Sequence, residues 1–280
     1  MALDRPERYH TQGPCRFEVL NMLTVSSRTH PGAVRPMNED AVLWDPELSL
    51  LAVADGMGGH NAGEVASRLT IDTVRMFLQK SAADLDCTWP FGVNPTWSFA
   101  TNRLVTAVKL ANRRVFRDSE ERAEYTGMGT TLVAALLQDT RVTFASVGDS
   151  RIYAVHADRL EQLSRDDSWV MLLSKESGLA PSAFEKHPMR HVLTSVVGAR
   201  PDLELAVEEF DVAAGQTLML CTDGLYTALS EAAICAMLSE QRDLDRAAEA
   251  LIQAALDTHC TDNVSVLLAR YTPDAAEAVG

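Results

Sequence analysis

Hydrophobic residues along this chain gather in two kinds of run. The first is short and nearly unbroken: FEVLNMLTV (17–25), LSLLAVA (48–54), GTTLVAALL (129–137), RVTFASV (141–147), RIYAVHA (151–157), LELAVEEF (203–210), QTLMLC (216–221) and NVSVLLARY (263–271), each bounded by Gly, Asp or Asn. Their length and richness in Val, Leu and Phe predict strands. Several follow one another with only a tight connection, as RVTFASV and RIYAVHA do across Gly148-Asp149-Ser150. Such short links predict largely antiparallel sheets rather than βαβ units.

The second kind of run has helical spacing. Val65, Leu69, Thr73/Val74 and Phe77/Leu78 make one stripe, with Asn61 and Glu64 in capping-box relation at its start. Trp97, Ala100, Leu104, Ala107/Val108, Ala111 and Val115 make a second, and Ala247/Ala248, Leu251/Ile252 and Ala255/Leu256 a third. Each stripe has one apolar face, so these helices should cover sheets from outside in a layered sandwich. Between the first two lies CTWPFGVNPTW (87–97), where Pro, Gly and Asn break any period. It is a loop whose aromatics either dock a partner or, as loop aromatics commonly do, fold back over the nearest apolar surface; the second is expected.

At 280 residues and 46% hydrophobic content, the chain can bury a sizeable core in one large domain or two small ones. No Gly/Ser-rich or Pro-rich run, charge block or internal repeat divides it, which predicts a polar tail over 1–15 and one continuous domain over 16–273. The formal net charge of -14 excludes nucleic acid as the main partner, because that role needs clustered Lys and Arg. Cys15, Cys87, Cys221, Cys235 and Cys260 are odd in number and contain no C-x-x-C pair, so they read as reduced thiols. The first residues are polar, and no run approaches the roughly 20 apolar residues of a membrane helix. A cytoplasmic monomer without a membrane partner is expected.

Chemistry enters with the acids at the ends of the apolar runs. Asp55 closes LSLLAVAD, Asp223 closes QTLMLCTD, Asp149 follows RVTFASVG, Asp262 precedes NVSVLLA, and Glu39 with Asp40 ends RPMNED. A single Asp-Gly is a common turn dipeptide and a lone strand-end Asp is usually structural. Together, carboxylates gathered in one partly buried site repel one another and must protonate or find cations. Oxygen-only ligands point to hard ions such as Mg²⁺ or Mn²⁺ rather than Zn²⁺.

RPMNED, ADGMGGHNAGEVAS, GMGTTLVAALL, FASVGDSRIY, RHVLTSVVGA, LCTDGLY and TDNVSVLL occur in an order and spacing that resembles the PP2C-type (PPM) phosphatases, in particular the bacterial branch. The resemblance implies an α+β fold: a four-layer α-β-β-α sandwich of two mainly antiparallel sheets with a two-ion Mn²⁺/Mg²⁺ centre at one end. It implies that Glu39, Asp55, Asp223 and Asp262 hold the metal pair directly or through water, that the Gly56 carbonyl adds a ligand, and that Asp40 supports the shell. Arg35 would grip the substrate phosphate, and Asp149 with Asp223 would hold a third, weaker ion.

The implied activity is hydrolysis of phosphoserine and phosphothreonine in proteins, opposing a serine/threonine kinase. A phosphomonoester dianion repels hydroxide, so the site must neutralise phosphate oxygens and acidify a water; two cations roughly 3.5–4 Å apart do both. Animal members of the family carry His after the Asp-Gly pair, where this chain has Met57. His60 is near in sequence, but a water is the expected proton donor to the leaving group. By the same resemblance, Ser164 to His191 would be a mobile flap beside the active site that selects substrates and gates metal exchange, or else a segment closing a sandwich edge; the flap is expected. No Cys-x5-Arg or Walker sequence supports a cysteine-based phosphatase or a P-loop nucleotide enzyme. Two other readings are a catalytically dead binding module, which should have lost metal ligands, and a phosphatase of an anti-sigma-factor antagonist, which would be expected to carry a sensor domain.

Overall fold

The computed structural model describes residues 23–59, 62–84, 87–184 and 187–273. The 1–15 tail, the first part of FEVLNMLTV, His60 and the Asn61 cap lie outside the described residues. The strands are β1 (Leu23–His30), β2 (Asp40–Asp45), β3 (Leu50–Met57), β4 (Gly129–Thr130), β5 (Leu132–Gln138), β6 (Arg141–Val147), β7 (Arg151–Val155), β8 (Leu160–Gln162), β9 (Ala206–Asp211), β10 (Thr217–Cys221) and β11 (Val264–Tyr271). The helices are α1 (Ala62–Ala83), α2 (Phe99–Glu121), α3 (Trp169–Ser177), α4 (Asp223–Ala228), α5 (Glu231–Glu240) and α6 (Leu244–Asp257).

One sheet runs β1-β11-β10-β7-β8 and the other β2-β3-β5-β6-β9, with β4 pairing β3. All of these ladders are antiparallel. The period-2 alternation of side chains explains why the central strands read as unbroken apolar runs: both of their faces are covered. Leu50, Ala52 and Ala54 of β3 pack with Leu132, Ala134 and Leu136 of β5 under α1 and α2. Leu51 and Val53 point the other way and meet Ile152, Leu218, Leu220 and Leu267 of the facing sheet. The outer face of the β1-β11-β10-β7-β8 sheet, Met219, Val266 and Leu268 among others, is covered by Leu225, Ile234, Ala248 and Leu251 of α4 to α6. The four layers are those the resemblance implied.

Several local expectations are corrected. β6 and β7 belong to different sheets, so Gly148-Asp149-Ser150 is a crossing from one sheet to the other rather than a hairpin. Gly148 permits the close passage: at φ 89°, a Cβ there would stand 2.7 Å from Thr131 Cγ2. Trp97 precedes the Ser98 N-cap of α2 and is 45% exposed, so the buried stripe starts at Ala100. Asp55-Gly56 lies inside β3, and Asp223-Gly224 opens α4 instead of making a turn. In the 87–97 loop, Trp89 folds back edge-on to Phe77 of α1, as expected, while Phe91 lies under Arg113 and Lys109 of α2. Among the described residues no helix is long and apolar enough to cross a membrane.

Candidate metal centre

One end of the sandwich collects the acids. In the first sheet, Asp223 stands two residues after the end of β10, Asp262 two before β11 and Asp149 two before β7. Cys221 pairs with both Val266 and Arg151, so the acids flanking these strands share a rim. In the second sheet Asp40 of β2 is the direct cross-strand partner of Asp55 of β3. Like charges opposite one another on a ladder are destabilising unless neutralised.

Glu39 is placed by backbone contacts. Its carbonyl accepts from Gly56 N at 3.1 Å and from Ser67 Oγ at 2.6 Å, and its N–H donates to Asn263 Oδ1 at 2.7 Å. The start of α1 presses directly on its carboxyl: a Cβ at Gly63 would lie 2.4 Å from Glu39 Oε1. Asp40 is 6% exposed, and its Oδ2 accepts from Thr222 Oγ1 at 2.9 Å and Ser265 Oγ at 2.6 Å. Thr222 is the N-cap residue of α4 but makes no side-chain cap bond: its hydroxyl oxygen accepts from Ser265 N at 3.0 Å while its proton goes to Asp40. Asp55 is held by its main chain: its N–H donates to Thr131 Oγ1, and its carbonyl accepts from Thr131 N and Thr130 Oγ1. Asp149 is braced from behind. Tyr226 Oη donates to its carbonyl at 3.0 Å, and Arg151, paired with Asp166, lies 3.6 Å over the Tyr226 ring.

Burial and mutual repulsion push these carboxyls upward. Desolvation, then Asp40, Asp223, Asp149 and Asp262, raise Asp55. Desolvation raises Asp40, offset in part by the Ser265 and Thr222 hydroxyls. Asp223 is raised by burial and then by Asp262 and Asp40. Asp149, raised by burial, Asp223 and Asp166, reaches about 7. Glu39 is raised by burial against the Gly63 N–H and Arg35, which hold it down. Arg35 lies at the open side, half exposed, with its Nη2 bonded to Asp262 Oδ2 at 2.9 Å.

Orphaned oxygen is the clearest mark of this cluster. Among the described residues four buried side-chain oxygens lack a hydrogen-bond partner, and three of them are Glu39 Oε1, Asp40 Oδ1 and Asp223 Oδ1. Leaving such an atom unsatisfied costs about 1–3 kcal/mol, and more when it is charged. The donor set is all oxygen and fits a hard divalent cation. No three His, Cys, Asp or Glu side chains among the described residues stand in a ready-made coordination shell. The cluster is therefore marked by burial and unsatisfied oxygen, not by preformed ligand geometry.

Of the residues picked from the sequence, Arg35, Glu39, Asp40, Asp55, Gly56, Asp149, Asp223 and Asp262 all lie at this rim. Asn263, Thr222, Ser265, Thr131 and Tyr226 join them as supports; the sequence signal for these was only their place beside the acids or strand ends.

The protein phosphatase 2C family model matches residues 33–267, which span strands of both sheets and the acid-lined rim. The chain belongs to that family. It is 34% identical over 249 residues to the serine/threonine protein phosphatase PstP of Mycobacterium tuberculosis (strain H37Rv), covering 89% of this chain but 45% of PstP. It is 32% identical to the serine/threonine phosphatase Stp of Listeria monocytogenes (strain F2365) over 86% of this chain and 93% of Stp. The crystal structure of M. tuberculosis PstP superposes with a TM-score of 0.77 at 33% identity, covering 90% of this chain and 99% of that one. The PstP catalytic domain in complex with two manganese ions superposes with a TM-score of 0.74 at 32% identity over 90% of this chain and 99% of that one.

Proposed function

We propose that this protein hydrolyses phosphoserine and phosphothreonine in proteins, using two Mn²⁺ or Mg²⁺ ions at the acidic rim. The observation that carries this reading is the set of buried, unpartnered carboxylate oxygens on Glu39, Asp40 and Asp223. Family membership and the two manganese ions of the PstP catalytic domain support it. In this reading Glu39, Asp55, Asp223, Asp262 and the Gly56 carbonyl hold the pair, Asp40 supports them, and Asp149 with Asp223 takes a third, weaker ion. When bound, the ions supply neutralisation of the phosphate and an acidified water as nucleophile.

The chain's own groups do the rest. Asp40, with Oδ2 fixed by Thr222 and Ser265, presents Oδ1 in one orientation. Arg35 stands half exposed beside Asp262, where its planar guanidinium can exchange that carboxylate for two phosphate oxygens. Met57 has no proton to give, and in this reading the leaving Ser or Thr oxygen takes its proton from water. No side chain here needs to become covalently phosphorylated. A kinase as the opposing enzyme and cytoplasmic residence are part of the proposal; the buried free thiols Cys87, Cys221, Cys235 and Cys260 suit a reducing compartment.

Hydrolysis of an aryl phosphate, then of phosphoserine, phosphothreonine and phosphotyrosine peptides, tests it with Mn²⁺, Mg²⁺ and chelator. Chelator should abolish turnover, and Asp223→Ala or Asp262→Ala should lower kcat/KM by at least about 100-fold, the upper range for residues that merely support a metal. Turnover unchanged in chelator or in either variant overturns the reading.

A further inference from the structure

Asn263 is 4% exposed, and its side chain spends every bond on one loop. Its Oδ1 accepts the Glu39 N–H at 2.7 Å, while Nδ2 donates to the Pro31 and Met37 carbonyls, both at 2.9 Å. A primary amide has two donors and one acceptor carbonyl, so this single group closes the loop from 31 to 39 at both ends. Arg35 sits between the clamped points. The loop also lies directly on the chain beside Asn263. Ala33 N donates to the Cys260 carbonyl at 3.2 Å, and a Cβ on Gly32, at φ 81°, would be 2.1 Å from the Asp262 carbonyl oxygen. The main-chain N–H of Asn263 donates to Asp262 Oδ1 at 2.9 Å, while Arg35 bonds Asp262 Oδ2. One residue therefore fixes the loop that bears Arg35 and the carboxylate that Arg35 faces.

We infer that Asn263 is the positioning residue of the phosphate clamp: its side-chain amide sets the height and direction of Arg35 over the acidic rim. No other residue type supplies this pattern in the same space. Asp has no donor for the two carbonyls, Leu has neither donor nor acceptor, and Gln is one methylene too long for a buried amide held by three bonds of 2.7–2.9 Å. The inference rests on the assignment of Arg35 to the phosphate, and its test separates the two.

Asn263→Ala is compared with the parent chain by hydrogen exchange and by kcat/KM on an aryl phosphate, alone and combined with Arg35→Ala. Asn263→Ser, which retains one hydroxyl, replaces it if the alanine variant does not fold. Deuterium uptake should rise in the peptide covering 31–39 and stay unchanged in α6. The kcat/KM should drop roughly 10–100-fold, the usual effect of losing a supporting hydrogen-bond partner. In the Arg35→Ala background the same substitution should cost little more, because both act through one group. Losses that multiply in the double variant, or unchanged uptake at 31–39, overturn the positioning role. An Arg35→Ala chain with unaltered kcat/KM refutes the clamp itself, and the inference falls with it.

Discussion

Asp40 shows how strongly a single carboxylate here depends on neighbours far away in sequence. Its two hydroxyl donors stand 182 and 225 positions along the chain, and they hold one oxygen while the other remains unpartnered. Thr222→Val or Ser265→Ala removes one donor from a buried charged group, at a cost of about 1–3 kcal/mol. Each should also weaken Mn²⁺ binding roughly tenfold, read by urea melts and titration calorimetry. Retained stability and affinity in both variants would show that Asp40 needs neither donor. The acids themselves were legible in the sequence because they interrupt apolar runs, where a charge is conspicuous. Their supports were not: Asn263, Thr222, Ser265 and Tyr226 are ordinary polar residues until the fold brings them to a partner. Their importance lies in contacts of long sequence separation, which no local pattern encodes.

Element by element, the sequence patterns worked where burial is uniform and failed where an element is short or its ends are polar. β3, β5, β6, β10 and β11 were found because both faces are covered. β2, DAVLWD, was missed because its ends are acids. β8 has three residues and no period. α4 was missed because Asp-Gly reads as a turn, yet Asp223 is acidic in the first turn of a helix, where the N-terminal dipole favours it. α1 makes the most specific demand. Its first turn carries Gly63 because the helix start touches both Glu39 and Gly56, and an added Cβ would stand 2.4 Å from Glu39 Oε1 and 2.9 Å from the Gly56 carbonyl carbon. An exposed helical Gly→Ala change normally stabilises by roughly 0.5–1 kcal/mol. Gly63→Ala should instead lower the melting temperature and displace Glu39, with a loss of Mn²⁺ affinity measurable by calorimetry. A stabilised variant with parent affinity would contradict that packing account.

For the whole molecule, two sheets with both outer faces under helices leave one rim where strands from each sheet deliver like charge. Asp149 is raised to about 7, and Asp40, Asp55 and Asp223 are raised with it, chiefly by burial. An acid whose folded pKa exceeds its unfolded value of about 3.9 binds more protons when folded, so it favours folding at low pH and opposes it as pH rises through the folded value. In chelator the melting temperature should therefore fall between about pH 5 and pH 8, within the span set by these raised acids. Saturating Mn²⁺ should raise it more at pH 8 than at pH 5, because the cation binds the deprotonated rim. A metal-free protein equally or more stable at pH 8 would show that the carboxyls are not in strained proximity.

The most direct test of that charge concentration is an anomalous difference map from crystals grown with Mn²⁺, recorded at the manganese edge. Two peaks roughly 3.5–4 Å apart, within ligand distance of Glu39, Asp55, Asp223 and Asp262, are the predicted result. Manganese bound elsewhere on the surface, or no peak at the rim at saturating Mn²⁺, would contradict the account.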